Sequence, residues 1–331
     1  MPAPQAAWRD PCAFDLGGRI PYVTAISSMT TGIAVTAQPD LFDRSFFRTC
    51  RLRALMAAKP GADFLLKAVS EDLQDRLLLV NRRFPIAVDL GGHCAHVSEA
   101  IRQSGKADLV LRADLFAADP SLAAPDLVFD DALIPFGDQS VDLIVSALNL
   151  QFVNDLPGTL VQLRRALKPD GLFLATLPGA GTLSELRDSL TRAELEVKGG
   201  AAARVLPFAD TRDLGSLLQR AGFALPVTDL DSLTVRYDTM FALLADLRAM
   251  GATSVLKDRS RKPLSRQVLL RAAQLYAQNH ADADGRIRAT FSLVTLSGWA
   301  PHESQQKPLR PGSAKTRLAD ALGVQERKIG D

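Results

Sequence analysis

Acidic, glycine and amide residues stand directly after four short apolar runs of the chain. Glycines after the first run would let a ligand approach the backbone and would tolerate a positive φ. A carboxylate after the second could accept hydrogen bonds from two ribose hydroxyls, and acids after the third could accept one from an exocyclic adenine amine. Backbone and an amide after the fourth could face a reacting group. In chain order these residues are Asp89-Leu90-Gly91-Gly92, Asp114, Asp130-Asp131 and Ser146-Ala147-Leu148-Asn149.

These residues can share one site only if the apolar runs are strands of a parallel sheet, because such sheets bind ligands beyond the carboxyl ends of their strands. Helical patterns alternate with the runs, as a parallel sheet covered on both faces requires. The sequence therefore predicts an α/β fold with a mostly parallel seven-stranded sheet and a helical lid inserted before the last strand. The predicted strands are 84–90, 107–114, 126–129, 141–148, 172–177, 231–237 and 289–299; the predicted helices between and after them are 97–103, 156–167, 182–197, 209–221, 239–250 and 265–279.

Four segments follow from this pattern. Residues 1–40 form an N-terminal extension, in which prolines and glycines break any periodicity. Residues 41–83 are helical in pattern. Residues 84–302 hold the α/β domain, with its helical insertion at about 238–285. Residues 303–331 are rich in polar residues, proline and glycine, which predicts a flexible tail.

Composition narrows the class of protein. The net charge of +2 gives no footprint for nucleic-acid binding, and no apolar run approaches the roughly 20 residues that a membrane span needs. Basic residues cluster over 44–53, where the pattern favours a solvated helix face over an interaction surface. Three widely separated cysteines indicate a reducing compartment. We therefore expect a cytoplasmic protein, or one of the mitochondrial matrix in a eukaryote.

The strand-end series resembles the motifs of class I S-adenosylmethionine-dependent methyltransferases, in their usual order. Residues 130–136 and 140–145 are part of this likeness. It implies a Rossmann-like fold and S-adenosylmethionine as cofactor, and it leaves the catalytic residues unassigned and gives no metal site. The cofactor residues that it implies are Asp89, Gly91, Gly92, Asp114, Asp130, Asp131 and Leu148; the candidates for facing a substrate are Asn149, Gln151, Trp299 and His302.

A closer resemblance is to the mitochondrial complex I assembly factor 5 family. It rests on residues 149–157, 167–171, 181–187, 250–252, 298–305 and 311–314. The malonyl-acyl-carrier-protein methyltransferase of biotin synthesis is a more distant relative that shares residues 247–252. The closer resemblance implies hydroxylation of an arginine in a core subunit of respiratory complex I, despite the methyltransferase fold.

The chain departs from the family pattern in the glycine loop and after the fourth strand. His93 and Ala95 stand where the family has glycine, and a β-carbon at a positive φ would cost roughly 1–2 kcal/mol. His93 could be a loop residue, a contact of the cofactor carboxylate, a base, or a metal ligand with His96. After the fourth strand, Gln151 stands where the family has a histidine, and Phe152 stands where it has an aromatic residue. The loss of a titratable group at Gln151 weakens any prediction of general-base catalysis there.

The sequence thus predicts an S-adenosylmethionine-binding enzyme that acts on a protein substrate, a subunit of respiratory complex I. The motif at 299–305 favours this over a small-molecule methyltransferase, and an acyl carrier is the alternative substrate. A non-catalytic scaffold that binds a respiratory subunit is the second hypothesis, favoured by the altered glycine loop and the basic run at 44–53.

Overall fold

A computed structural model describes residues 40–115, 125–306, 320 and 322–323. Most of the N-terminal extension, the connection after Asp114 and most of the tail lie outside the described residues. Within them, the chain forms one sheet with helices on both of its faces.

The sheet has seven strands in the spatial order β3-β2-β1-β4-β5-β7-β6. All neighbours from β3 to β5 pair in parallel, and β7 runs antiparallel to β5 and β6. The prediction of a mostly parallel seven-stranded sheet is confirmed. The strands are β1 (Phe84–Leu90), β2 (Ala107–Asp114), β3 (Leu127–Val128), β4 (Val141–Ala147), β5 (Leu167–Pro178), β6 (Ala224–Tyr237) and β7 (Ile287–Trp299).

Eight α-helices accompany the strands in the described part of the chain, and a short 3₁₀ turn follows β4 at Leu150–Phe152. Every residue of β4 is buried, as expected of a strand covered on both faces. Its side chains alternate between the two core layers: Leu143 packs in one and Ile144 in the other. The helices are α1 (Arg44–Ala57), α2 (Phe64–Leu79), α3 (His96–Gln103), α4 (Leu156–Ala166), α5 (Ser184–Lys198), α6 (Thr211–Arg220), α7 (Met240–Ala249) and α8 (Arg266–His280).

Two strands begin earlier than the sequence pattern indicates. β6 starts at Ala224 rather than at residue 231. The sequence pattern does not reveal the first half of this strand, because it is an edge in which no residue is buried. β5 starts at Leu167, so residues 168–171, between the predicted helix 156–167 and the predicted strand 172–177, form an irregularity within the strand. Asp170 has a φ of 63° there, a left-handed conformation that lets the chain kink without leaving the sheet.

The helical insertion and the N-terminal helix are joined above the carboxyl edge of the sheet. α7 and α8 lie between β6 and β7, and the loop that connects them pairs with the residues before α1. The Asp43 N–H donates to the Val255 carbonyl at 2.8 Å, and Arg259 forms an ion pair with Asp43 at 3.1 Å. Among the described helices, we find no apolar stretch of the length that a bilayer crossing requires.

Candidate functional site

The carboxylate that ends β2 lies at the edge where the parallel strands finish. Asp114 is 7% exposed, and its Oδ1 accepts a hydrogen bond from the Leu115 N–H at 2.7 Å. Burial raises the pKa of Asp114, and the nearby guanidinium of Arg51 opposes that rise. Among the described residues, Leu115 is the hydrogen-bond donor to Asp114, and a buried carboxylate with acceptor capacity left in this way is suited to a polar ligand.

The loop after β1 turns sharply because of two glycines. Gly91 and Gly92 both donate to the Ala113 carbonyl, at 2.9 and 3.0 Å, and Gly91 has a φ of +80°. A β-carbon at Gly91 would lie 2.2 Å from Cγ of Asn149. A β-carbon at Gly92 would lie 2.4 Å from Oδ2 of Asp89. On the side where a β-carbon would point, the space at both glycines is therefore filled by the protein's own side chains.

Asp89 is fully buried beneath that loop. Its Oδ2 accepts a hydrogen bond from the Ser98 N–H in α3 at 3.0 Å, while its Oδ1 has no partner among the described residues. Burial raises the pKa of Asp89 to about 8, against the opposing Ser98 bond and the charge of Arg112. The carboxyl group is thus largely protonated at neutral pH.

Two arginines of α1 reach into the site. Arg44 forms an ion pair with Asp130 at 3.0 Å and with Asp131, so both acids after β3 share one cation. Arg51 is 4% exposed, and its Nη2 donates to the Gly91 carbonyl at 3.2 Å. The predicted solvated face of α1 is wrong for these two residues, which are seven apart and therefore lie on one side of the helix.

His93 and Ala95 do not strain the loop. Neither has a positive φ, so the expected backbone penalty at these substitutions is absent. His93 donates its N–H to the Gly91 carbonyl at 2.8 Å. Burial and the neighbouring Arg51 lower the pKa of its imidazole, which makes His93 neutral. His96 bonds Asp63 at 2.6 Å instead of sharing a ligand with His93.

A cavity of about 640 Å³ opens beside the glycine loop. Its walls are mostly apolar, and they come from α1, the α1–α2 loop, the ends of β4 and β5, α5 and the insertion. Leu148 and Gln151 both line it; Leu148 has a φ of 51°, and the Gln151 amide donates to its carbonyl at 2.8 Å. A volume of this size is typical of small-molecule or side-chain binding.

Three predicted substrate-facing residues do not line this cavity. Asn149 is buried under Gly91, where it bonds Asp131 and Arg51. Trp299 pairs with Leu172, at the opposite end of β5 from Pro178, whose partner is Leu293. Trp299 is six positions along the strand from Leu293, a distance of about 20 Å. The prediction for Asn149 and Trp299 is corrected.

His302 lies beyond Trp299 at the same far edge, so its prediction is corrected too. It is exposed, and its Nδ1 bonds Ser304 at 2.6 Å. Gln305 gives the motif at 299–305 a structural role: its side-chain amide donates hydrogen bonds to Asp170 at 3.0 Å and to the Ala300 carbonyl at 2.9 Å. The segment after β7 therefore fastens the chain to the irregular start of β5.

The structure brings Asp89, Gly91, Gly92, Asp114, Asp130, Asp131 and Leu148 to one edge of the sheet. Sequence reasoning missed Arg44 and Arg51 as part of this edge. Their spacing of two helical turns was the available signal, but nothing local fixed which face α1 turns towards the sheet.

The fold and these strand-end residues define a protein of the class I methyltransferase type. A sequence model of the methyltransferase domain matches residues 63–226. The mitochondrial arginine-hydroxylase NDUFAF5 of Danio rerio is 36% identical over 293 residues, which cover 85% of this chain and 89% of that protein. The human protein of the same name is 36% identical over 287 residues, with coverage of 85% and 83%. This chain belongs to the NDUFAF5 family.

More distant proteins carry a different name. The malonyl-[acyl-carrier protein] O-methyltransferase of Xylella fastidiosa is 31% identical over 273 residues, 79% of this chain and 89% of that protein. Among solved structures, the YcgJ protein of Bacillus subtilis covers 70% of this chain and 99% of its own, at 13% identity and a TM-score of 0.47.

Proposed function

We propose that this chain binds S-adenosylmethionine at the carboxyl edge of β1, β2 and β4. The observation that carries the proposal is Asp114, a buried carboxylate at the end of β2 that, within the described residues, accepts a hydrogen bond only from Leu115 and could accept others from a ribose diol. Asp130 and Asp131 stand one strand further out, where an adenine amine would be held. Gly91 and Gly92 form the turn against which the amino-acid part of the cofactor would lie.

The residues present fit this cofactor in charge as well as in order. Arg51 is a buried cation beside the glycine loop, opposite in charge to the carboxylate of the cofactor. Bound there, S-adenosylmethionine supplies an electrophilic methyl group. The chain's own residues hold the cofactor's polar groups, and the apolar cavity beside them keeps water from the reacting position.

We expect Asp114→Asn to weaken binding of S-adenosylmethionine by about tenfold or more, because the neutral amide loses charge-assisted hydrogen bonds to the ribose. Calorimetric titration measures this directly. Asp108→Asn is the matched control: the residue belongs to the same strand, but its exposed side chain pairs with Arg83 at the amino end. Absence of binding to the folded, unmutated chain would refute the proposal and favour a scaffold.

We further propose that the group modified is an arginine side chain of a protein in respiratory complex I assembly. The name of the relatives at 36% identity supports this, and the cavity beside the glycine loop is large enough to admit a side chain. Mass spectrometry of complex I subunits from a deletion strain would test it. In that strain the target arginine would lack either one oxygen atom or one methyl group, and these two differences in mass can be told apart. An unchanged set of subunits would contradict this part. The location in the cytoplasm or the mitochondrial matrix stays a prediction.

A further inference from the structure

We infer that Arg51 of α1 binds the carboxylate of the cofactor, so that the N-terminal helix is a built-in part of the cofactor site. The inference rests on the proposed function and names the anion that this buried cation serves. It makes Arg51 a residue that determines which ligands bind, rather than a residue of the fold alone.

The order of the strands sets the direction in which the cofactor lies. Asp131 follows β3, Asp114 ends β2, and Gly91 follows β1, and these strands are neighbours in the order β3-β2-β1-β4. A cofactor whose adenine is at Asp131 and whose ribose is at Asp114 therefore places its amino-acid end at β1 and β4. Arg51 bonds one group from each of these strand ends, the Gly91 carbonyl at 3.2 Å and Asn149 Oδ1 at 3.4 Å.

Arg51 lacks the partner that a buried guanidinium ordinarily has. Its two hydrogen bonds go to neutral oxygens, and no carboxylate of the described residues lies within ion-pair distance of it. Its Nε is buried without any partner among the described residues. Burial lowers the pKa of Arg51, and the charges of Asp114 and other anions only oppose this. The guanidinium also lies 5.1 Å from the centroid of the Phe47 ring. A buried cation without a carboxylate in ion-pair distance is still costly, and an anionic ligand group would remove that cost.

The ion pairs of Arg44, at the start of α1, indicate the same orientation of the cofactor. Arg44 lies two turns before Arg51 and forms ion pairs with Asp130 and Asp131, at the predicted adenine end. Two turns of α-helix span roughly 10 Å, so α1 runs beside the strand ends from β3 towards β1. The contacts of α1 with the insertion hold it there, through the pairing of Phe42 with Leu256.

The test compares two ligands that differ only at the amino-acid end. S-adenosylhomocysteine carries the carboxylate, and 5′-methylthioadenosine has the same nucleoside thioether without it. We expect Arg51→Met to weaken the first about tenfold or more and to leave the second nearly unchanged, with partial recovery in Arg51→Lys. Arg53→Met is the matched control, because Arg53 is an exposed residue of the same helix.

The outcomes separate the two proposals. An equal loss of both ligands in Arg51→Met would mean that Arg51 only supports the fold of the site, and an unchanged affinity for both would also overturn the inference. In either case the unmutated chain still binds S-adenosylhomocysteine, and Asp114→Asn still weakens it. If the unmutated chain binds neither ligand, the proposed function itself fails, and the inference fails with it. Binding of 5′-methylthioadenosine by Arg51→Met shows that the variant is folded.

Discussion

Gly91→Ala is expected to lower the free energy of unfolding by about 3 kcal/mol, from two additive causes. A β-carbon in the left-handed region costs roughly 1–2 kcal/mol, and Gly91 has a φ of +80°. The same atom would lie 2.2 Å from Cγ of Asn149, and relief of such overpacking typically costs a further 1–3 kcal/mol. Denaturant unfolding of the variant measures the sum.

Gly105→Ala is the control that isolates the backbone cost. Gly105 has a φ of +65°, but nothing lies within 4 Å of the position that a β-carbon would take there, so only about 1 kcal/mol is expected. A double-mutant cycle of Gly91→Ala with Asn149→Gly should then show a coupling of about 1 kcal/mol or more, because removal of the whole Asn149 side chain, whose β-carbon alone would lie 2.6 Å away, opens the space. Equal losses in Gly91→Ala and Gly105→Ala would show that the contact with Asn149 does not limit the loop.

The sequence predicted the strand ends well because each depends on local information. A short apolar run that ends in Gly91 or in Asp114 is visible in a few residues, and parallel pairing then brings the ends together. The roles of Arg44 and Arg51 could not be read in this way. Both lie on α1, and only the pairing of the residues before α1 with the insertion, more than 200 positions later, turns this face towards the sheet.

The C-terminal motif shows a different limit of sequence reasoning. Its similarity to the family was specific, and a functional contact at Trp299 and His302 was a natural hypothesis. Because β7 is antiparallel, however, its last residue lies at the edge where the parallel strands begin. The motif therefore stabilises the start of β5 through Gln305 and Asp170, and specificity of a motif did not imply closeness to the site.

The position of Asn149 differs from the predicted one and changes which residues form the wall of the cavity. Asn149, predicted to face a substrate, instead links the loop after β1 to Asp131 and lies under Gly91. The cavity wall beside it is formed by Leu148 and Gln151. Substitutions at Asn149 should therefore act through the shape of the loop after β1, whereas those at Gln151 should change the wall of the cavity.

Asp89→Asn is expected to make stability less dependent on pH, since the buried carboxyl group holds its proton in the folded chain. The pKa of Asp89 is about 8 in the folded state, raised by burial, and its ordinary value is 3.8. Between these values the folded state binds a proton that the unfolded state has released, so stability falls as pH rises. Above about pH 8 both states are ionised and the slope disappears. The asparagine keeps the oxygen that accepts the Ser98 N–H and does not titrate.

We expect the stability of Asp89→Asn relative to the unmutated chain to increase by about 2 kcal/mol between about pH 6 and pH 8, at up to 1.4 kcal/mol per unit. Glu194→Gln is the control of opposite sign: hydrogen bonds from Arg204 lower the pKa of Glu194 to about 2, so its contribution is complete above about pH 4.5 and is lost only as pH falls towards 2. Its relative stability should be flat in the same window. A flat difference for Asp89→Asn as well, measured by urea unfolding at each pH, would mean that Asp89 is ionised in the folded chain and that Arg112 compensates its charge, because only a group that holds its proton there can produce the slope.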